Sequence, residues 1–335
     1  MTYREKEARA LVIRAGKRLV ESGLVARTWG NISARVSSTQ FVITPSGLAY
    51  EALTEEKLVL VNIDDCSYEG TLRPSSEKGI HAAAYRHRPD AGVVIHTHQD
   101  YASCIGIAGK DLTEFKSALL GDHVPCAAYG MPSTKKLVRS VDEVMVKYPI
   151  ANVILMKHHG VLCMARDFDR AFEMLGALEE VSRERFCQAV TLPETTAPET
   201  KHLLAQLEAA MPGMHFAAET DRAVQATALN GKTLLPHLDD LAQIAGATIR
   251  NTKNDPAAIV KALRGRNAVL VPGLGAICCA KDESDLSAIA AILRKSCRAA
   301  LYARTCRAKP LSGLDRRIMR IVYTMKYAGK KSESC

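Results

Sequence analysis

Two stretches of this chain align without a gap, and each reads as an apolar run, a glycine, a second apolar run and the start of a long helix. The first is Asn152-Val-Ile-Leu-Met-Lys-His-His-Gly-Val-Leu-Cys-Met-Ala-Arg-Asp. The second is Asn267-Ala-Val-Leu-Val-Pro-Gly-Leu-Gly-Ala-Ile-Cys-Cys-Ala-Lys-Asp. Upstream, Ala108-Gly109-Lys110 echoes Asn230-Gly231-Lys232. The chain therefore reads as one strand–turn–helix scheme used twice, with the second use spanning residues from about 218 to 307. Chance likeness between two such units is the alternative. The copies differ where chemistry would sit, because Leu274 stands in the place of His159.

Around this pair the other elements are readable. Apolar spacing predicts a helix over 4–23, stopped by Ser22-Gly23. Phe41-Val-Ile-Thr and Leu58-Val-Leu-Val are short β-type runs separated by Pro45-Ser46-Gly47. Pro74-Ser75-Ser76-Glu77 starts a helix that Pro89-Asp90 ends, and Val93-Val94-Ile95 leads a strand into His96-Thr97-His98. Further helices are expected at 133–147, at 169–189 and near Leu314–Tyr327. The last carries Ile318, Ile321, Val322 and Met325 on one face. Thr-Leu-Pro-Glu-Thr-Thr-Ala-Pro-Glu-Thr at 191–200 has linker composition.

Composition excludes several classes. There is no stretch of about 20 apolar residues to span a bilayer, and the charged N-terminal residues lead straight into a helical pattern, so no signal peptide is expected. The net charge of +9 invites a nucleic-acid reading, but no basic stripe is interleaved with aromatics, which are only 5% of residues. Part of that charge lies in Arg316, Arg317, Arg320, Lys326, Lys330 and Lys331 near the C-terminus. Attraction to anionic metabolites explains the balance as well. The ten cysteines show no C-x-x-C, and Cys104 and Cys163 sit in apolar runs, which fits reduced thiols in the cytoplasm.

Chemistry begins at His96 and His98. Alternate side chains of a strand share a face, so both imidazoles point one way from a rigid support. Two solvated histidines at a strand end would look the same. A third nitrogen comes from Lys157-His158-His159-Gly160, where the glycine lets a strand-end histidine turn toward the pair. Three imidazoles with an open fourth position suit catalytic zinc. Glu77 follows Ser75-Ser76 at a helix start, where free N–H groups and two hydroxyls can cradle a phosphate; ordinary capping is the plainer reading. Thr28-Trp29-Gly30-Asn31 and Thr44-Pro45-Ser46-Gly47 are two more polar glycine turns.

Taken in order, T-x-G-N-I-S, T-P-S-G, S-S-E, H-T-H and H-H-G resemble the class II aldolase/adducin superfamily, and within it the zinc-dependent L-fuculose-1-phosphate aldolase group, across about residues 5–190. The resemblance implies an α/β fold, a three-layer α/β/α domain around a mainly antiparallel sheet. It implies a Zn²⁺ site (Mn²⁺ or Co²⁺ being possible occupants) at His96, His98 and His159, and Glu77 as the acid–base residue that can also touch the metal. Thr28, Asn31, Ser46, Gly47, Ser75 and Ser76 would hold the phosphate of a sugar-phosphate substrate. A homo-oligomer, usually a tetramer, is the expected assembly, with no nucleic-acid or membrane partner.

The chemistry implied is retro-aldol cleavage of a ketose 1-phosphate to dihydroxyacetone phosphate and an aldehyde. A metal acts there as Lewis acid and a carboxylate moves the proton. A pentulose-phosphate 4-epimerase and a methylthioribulose-1-phosphate dehydratase-like enzyme are the alternatives on this scaffold, and a non-catalytic adducin-like binding module is a third. Glu77 favours the lyase, since the epimerases usually have Asp there. Trp29 stands where the aldolases tend to carry a small residue. The segment Ile105 to Ala128 also lacks the tyrosine that such enzymes lend to a neighbouring subunit, with Glu114-Phe115 near its place. The expected organisation is a catalytic domain at 1–190, a linker at 191–217, a degenerate partial repeat at 218–310 and a basic tail at 311–335.

Overall fold

The computed structural model describes residues 2–24, 29–195 and 198–328. The chain divides into two compact units, Met1–Arg185 and Phe186–Cys335, and the division falls inside the helix Phe168–Ala189.

The first unit opens with α1 (Glu5–Glu21), which buries Ala8, Val12, Ala15 and Leu19 at helical spacing. It continues through β1 (Asn31–Arg35), β2 (Gln40–Ile43), β3 (Val59–Asn62), α2 (Lys78–His87), β4 (Val93–Thr97) and α3 (Asp100–Gly106). Then come β5 (Cys126–Ala127), α4 (Lys135–Lys147), β6 (Val153–Met156), β7 (Val161–Ala165) and α5 (Phe168–Ala189). The seven strands run in the order β3-β2-β1-β4-β7-β6-β5, and only the β5–β6 pair is parallel. On one face α2 and α4 bury Ile80, Ala84, Leu137 and Val141 against Phe41, Val94, Ile154 and Leu162. α1 lies against β1 and β2, and α3 against β6. The expected three-layer, mainly antiparallel α/β architecture is the one observed.

β1 is the strand that apolar periodicity does not announce. Ile32 and Ala34 alternate with Asn31, Ser33 and Arg35, and all five are buried. Its register with β4 sets Asn31 opposite His96 and Ser33 opposite Val94, so both polar side chains share the face that α2 covers. On the other side of β4, β7 pairs Thr97 with Val161 and Ile95 with Cys163, while β6 pairs Val153 with Cys163.

The second unit contains α6 (Lys201–Ala210), β8 (His215–Glu219), α7 (Arg222–Ala228), α8 (Asp239–Ile244), α9 (Pro256–Leu263), β9 (Ala268–Val271), β10 (Gly275–Ala280), α10 (Glu283–Cys306) and α11 (Gly313–Ala328). Its antiparallel sheet has the order β8-β10-β9. Glu219 pairs with Ala276 and Ala217 with Cys278, and Cys278 pairs with Ala268. Leu207, Phe216, Ile259, Val269, Leu274 and Ile277 form its core. α6 falls inside 191–217 and β8 begins there: beyond the polar 191–200 stretch, Leu207 and Phe216 are core residues that need regular backbone around them. Two arginines of the basic tail serve the fold. Arg320 Nη1 donates to the carbonyls of Gln243 and Ile244 at the end of α8, at 2.9 and 2.5 Å, and Arg316 Nη1 donates to Ala247 O in the segment that follows, at 3.1 Å. Leu314, Ile318, Ile321, Val322 and Met325 remain exposed on α11. Among the described residues no helix is long and apolar enough to cross a membrane.

Candidate metal centre

His96 and His98 leave the end of β4 on one face, and the tight β6–β7 turn brings His159 against them. The three ring centroids lie 4.7 Å apart in every pairing. One ligand atom from each ring falls within 4.8 Å of the others. His96 Nε2 and His98 Nε2 lie 3.0 Å apart. His96 and His159 are buried to 0% and 1% exposure, so their orientation is fixed by packing.

The turn itself departs from the sequence expectation. The left-handed residue is His158, with φ of 63°, and not the glycine. Gly160 is needed for room, because a Cβ there would meet the Thr97 carbonyl oxygen at 2.2 Å. The close approach this permits is what seats His159 beside β4.

Glu77 completes the cluster from the start of α2. Its Oε1 lies 3.0 Å from His159 Nε2 and its Oε2 lies 3.3 Å from His96 Nε2. Burial by itself would raise this carboxyl, whereas positive charge on the His96 and His159 rings, where they are protonated, and the Asn31 amide lower it. Asn31 Nδ2 donates to Oε2 at 3.0 Å.

These donors fit a metal. His96 Nδ1 is 2.8 Å from the Val161 carbonyl oxygen, which can only accept, so the ring proton sits on Nδ1. Nε2 of a neutral His96 then presents a lone pair to the carboxylate and to His98. Lone pairs and a carboxylate gathered in a buried site are mutually repulsive unless a positive charge lies among them. Three imidazole nitrogens held by backbone, with one carboxylate, are a donor set for a divalent ion such as zinc, and the His96 bond to a carbonyl is the usual outer support of such a ligand.

The polar turns are partly assembled beside Glu77. Ser46 N donates to Arg73 O and Ser75 N donates to Thr44 O, both at 3.0 Å, which zips the 44–47 turn to the 73–76 turn. Ser46, Gly47, Ser75 and Ser76 are thereby brought together, and Gly47 takes the left-handed φ of 75° that the turn requires. The Ser75 hydroxyl accepts from Glu77 N at 3.2 Å, which fixes the approach of the carboxylate. Asn31 is directed to Glu77, and Thr28 lies outside the described residues. Two residues escaped the sequence reading. Ser133, left-handed at φ of 64°, donates its hydroxyl to Ser76 Oγ at 2.8 Å. The Tyr129 ring rests edge-on against His158, with centroids 5.5 Å apart. A hydroxyl one residue before a helix cap, in Pro132-Ser133-Thr134, was the available signal for the first. Glu114, near the place of the missing tyrosine, is held at φ of 62° and pairs with Arg185 at 3.2 Å.

Residues 10–185 match the family model described as Class II Aldolase and Adducin N-terminal domain. A 5-deoxy-D-ribulose 1-phosphate aldolase of Bacillus thuringiensis serovar kurstaki is 33% identical over 177 residues, covering 52% of this chain and 82% of that protein. An L-ribulose-5-phosphate 4-epimerase of Salmonella paratyphi B is 32% identical over 187 residues, covering 51% of this chain and 81% of its own. Among solved structures, an L-fuculose 1-phosphate aldolase aligns with a TM-score of 0.50 at 29% identity, over 56% of this chain and 91% of that one. Fold, cluster and sequence agree: through residues 10–185 this chain belongs to the class II aldolase and adducin N-terminal domain family.

Proposed function

We propose that the first unit is a metal-dependent aldolase that cleaves a ketose 1-phosphate, similar to L-fuculose 1-phosphate, to dihydroxyacetone phosphate and an aldehyde. The observation that carries this reading is Glu77, whose two carboxylate oxygens lie 3.0 and 3.3 Å from two of the three clustered imidazoles. His96, His98 and His159 would hold zinc (or manganese or cobalt), with Glu77 within reach of it. When bound, the metal supplies Lewis acidity toward a carbonyl oxygen. Cleavage breaks the bond between the carbon next to the carbonyl and the hydroxyl-bearing carbon beyond it. That hydroxyl gives up its proton as it becomes the aldehyde, and Glu77, which can take up a proton as a carboxylate, delivers one to the carbon that keeps the bonding electrons. The zipped turns carrying Ser46, Gly47, Ser75 and Ser76, supplemented by Ser133, hold the phosphate and fix the sugar against Glu77. Asn31 acts on Glu77 in this reading, and Thr28 is kept as a phosphate contact by resemblance.

The relatives include an epimerase, so the second reading is a pentulose-phosphate 4-epimerase, and the dehydratase is a third reaction on the same scaffold. Glutamate at position 77 favours cleavage. Purified protein would be analysed for metal and assayed for dihydroxyacetone phosphate release across a panel of ketose 1-phosphates. Stoichiometric metal with cleavage of one member is the expected result. Absence of metal would overturn the enzymatic reading, and metal without cleavage would favour the epimerase or the dehydratase.

The second unit we read as a degenerate partial copy spanning about 218–310, with a packing or assembly role in a homo-oligomer. Its registers support this. Thr97 opposite Val161 and Ile95 opposite Cys163 correspond to Glu219 opposite Ala276 and Ala217 opposite Cys278, each strand keeping its own sequence offset. The counterparts of His96 and His159 are Ala218 and Leu274, and Leu274 packs in an apolar core. The exposed apolar face of α11 suits contact with another subunit. A reducing, cytoplasmic compartment fits the nine described cysteines, all free thiols.

A further inference from the structure

Behind Glu77 runs a chain of buried polar side chains of which the catalytic reading uses only Asn31. Glu77, His81 and Tyr85 recur every fourth residue along α2, while Asn31 and Ser33 alternate along β1, so a helix stripe and a strand stripe interleave. Asn31 Nδ2 donates to Glu77 Oε2 at 3.0 Å. His81 Nε2 bonds Asn31 Oδ1. His81 Nδ1 lies 2.6 Å from Ser33 Oγ, and that hydroxyl lies 2.8 Å from the Tyr85 hydroxyl. All five side chains are buried.

The direction of every bond follows from its end. A charged carboxylate only accepts, so the Asn31 amide must turn its N–H toward Glu77 and its oxygen away. That oxygen needs a donor, so the His81 proton sits on Nε2 and Nδ1 is the acceptor. Ser33 therefore donates to Nδ1 and accepts from Tyr85. Each donor points toward Glu77, and hydrogen bonds aligned in one sense polarise one another. The chain does not lead protons to solvent. It stops at Tyr85, which is 1% exposed and packed between the Phe41 ring, 5.2 Å away, and the Arg35 guanidinium, 4.6 Å above its ring.

We propose that His81 is a positioning residue for Glu77: with Ser33 and Tyr85 it locks the Asn31 amide so that one carboxylate oxygen is held by Asn31 and the other faces the histidine cluster. This rests on Glu77 being the acid–base group. It also gives a reason for a neutral histidine in the core, since burial pushes the His81 imidazole down to about 3 and keeps it uncharged at neutral pH. Losing the lock would leave the carboxylate charged and near the metal, but free to rotate. Such supporting partners usually affect activity by about 10- to 100-fold.

The test uses the full-length zinc-loaded protein and two readouts. Long-range proton–nitrogen NMR on nitrogen-15-labelled protein reads the His81 tautomer directly. The expected signature is a neutral ring protonated at Nε2, lost or mixed in Ser33→Ala. An Nδ1–H tautomer, or an imidazolium at neutral pH, would overturn the proposal. In the cleavage assay, His81→Leu should keep its zinc and its KM while kcat falls by about 10- to 100-fold. His81→Gln, which restores an N–H donor near the Nε2 position, should recover most of that loss. Equal kcat in wild type and His81→Leu, or no recovery in a folded His81→Gln, would also overturn it. Should His81→Leu not fold, Tyr85→Phe and Ser33→Ala act at the far end of the chain and carry the kinetic comparison. If the wild type cleaves no ketose 1-phosphate, the aldolase reading fails while the tautomer measurement still decides this one.

Discussion

A Cβ on Gly160 would lie 2.2 Å from the carbonyl oxygen of Thr97 and 3.1 Å from Cε1 of His96. The same relationship recurs in the second unit, where a Cβ on Gly275 would lie 2.4 Å from Glu219 O. Backbone cannot yield as a side-chain tip can, so Gly160→Ala and Gly275→Ala should each cost about 1–3 kcal/mol. Their consequences should differ. Gly160→Ala is expected to shed metal, because His159 follows the displaced turn, whereas Gly275→Ala should keep full metal content. Denaturant unfolding with metal analysis of both variants checks this, and equal metal loss in the two would sink the assignment of the centre to the first unit.

Single substitutions His96→Ala, His98→Ala and His159→Ala should each lower metal affinity by more than about 100-fold, beyond the usual effect of losing a supporting partner. Mass-spectrometric metal analysis after gel filtration gives the stoichiometry. Full occupancy in any of the three would move the ion elsewhere.

Much of this centre is legible in the sequence because strand alternation and helix starts are local rules. His96 and His98 sit on one face because every strand alternates, and the helix that follows Ser75-Ser76 begins within two residues of its expected place. β1 is harder to read. Asn31, Ser33 and Arg35 would normally mark a solvated face, yet this face is covered by α2 and carries the buried polar chain. The turn glycine was misread for a related reason: spacing reveals that a small residue is needed at 160, but only the fold reveals that the Thr97 carbonyl is what needs the space. Linker composition ends at 200, and the structure before 217 follows from apolar contacts, Leu207 and Phe216 among them, that no local pattern announces.

Glu77→Gln keeps the shape and the bond from Asn31 but removes the charge. Proton transfer by a placed carboxylate contributes about 10²- to 10⁴-fold, so kcat should fall within that range while bound metal stays above half occupancy. Steady-state kinetics paired with metal analysis separates the roles. Loss of metal together with activity would make Glu77 chiefly a ligand.

The last prediction concerns acid. His81 titrates near 3 in the folded protein because burial disfavours the imidazolium, against an ordinary value of 6.5 for an exposed ring. Between these values the unfolded chain binds a proton that the folded chain does not. Stability is therefore fully present above the ordinary value and is lost as pH falls through the window toward 3, by at most about 1.4 kcal/mol per pH unit. Carboxylates that are paired in the fold add their own losses at the low end, so the informative quantity is a difference. His81→Gln removes the titrating ring, and its denaturant-derived stability should fall less steeply than the wild type's across the window. Parallel curves would mean that His81 is protonated in the folded protein, and the neutral, Nε2-protonated ring behind Glu77 could not then stand.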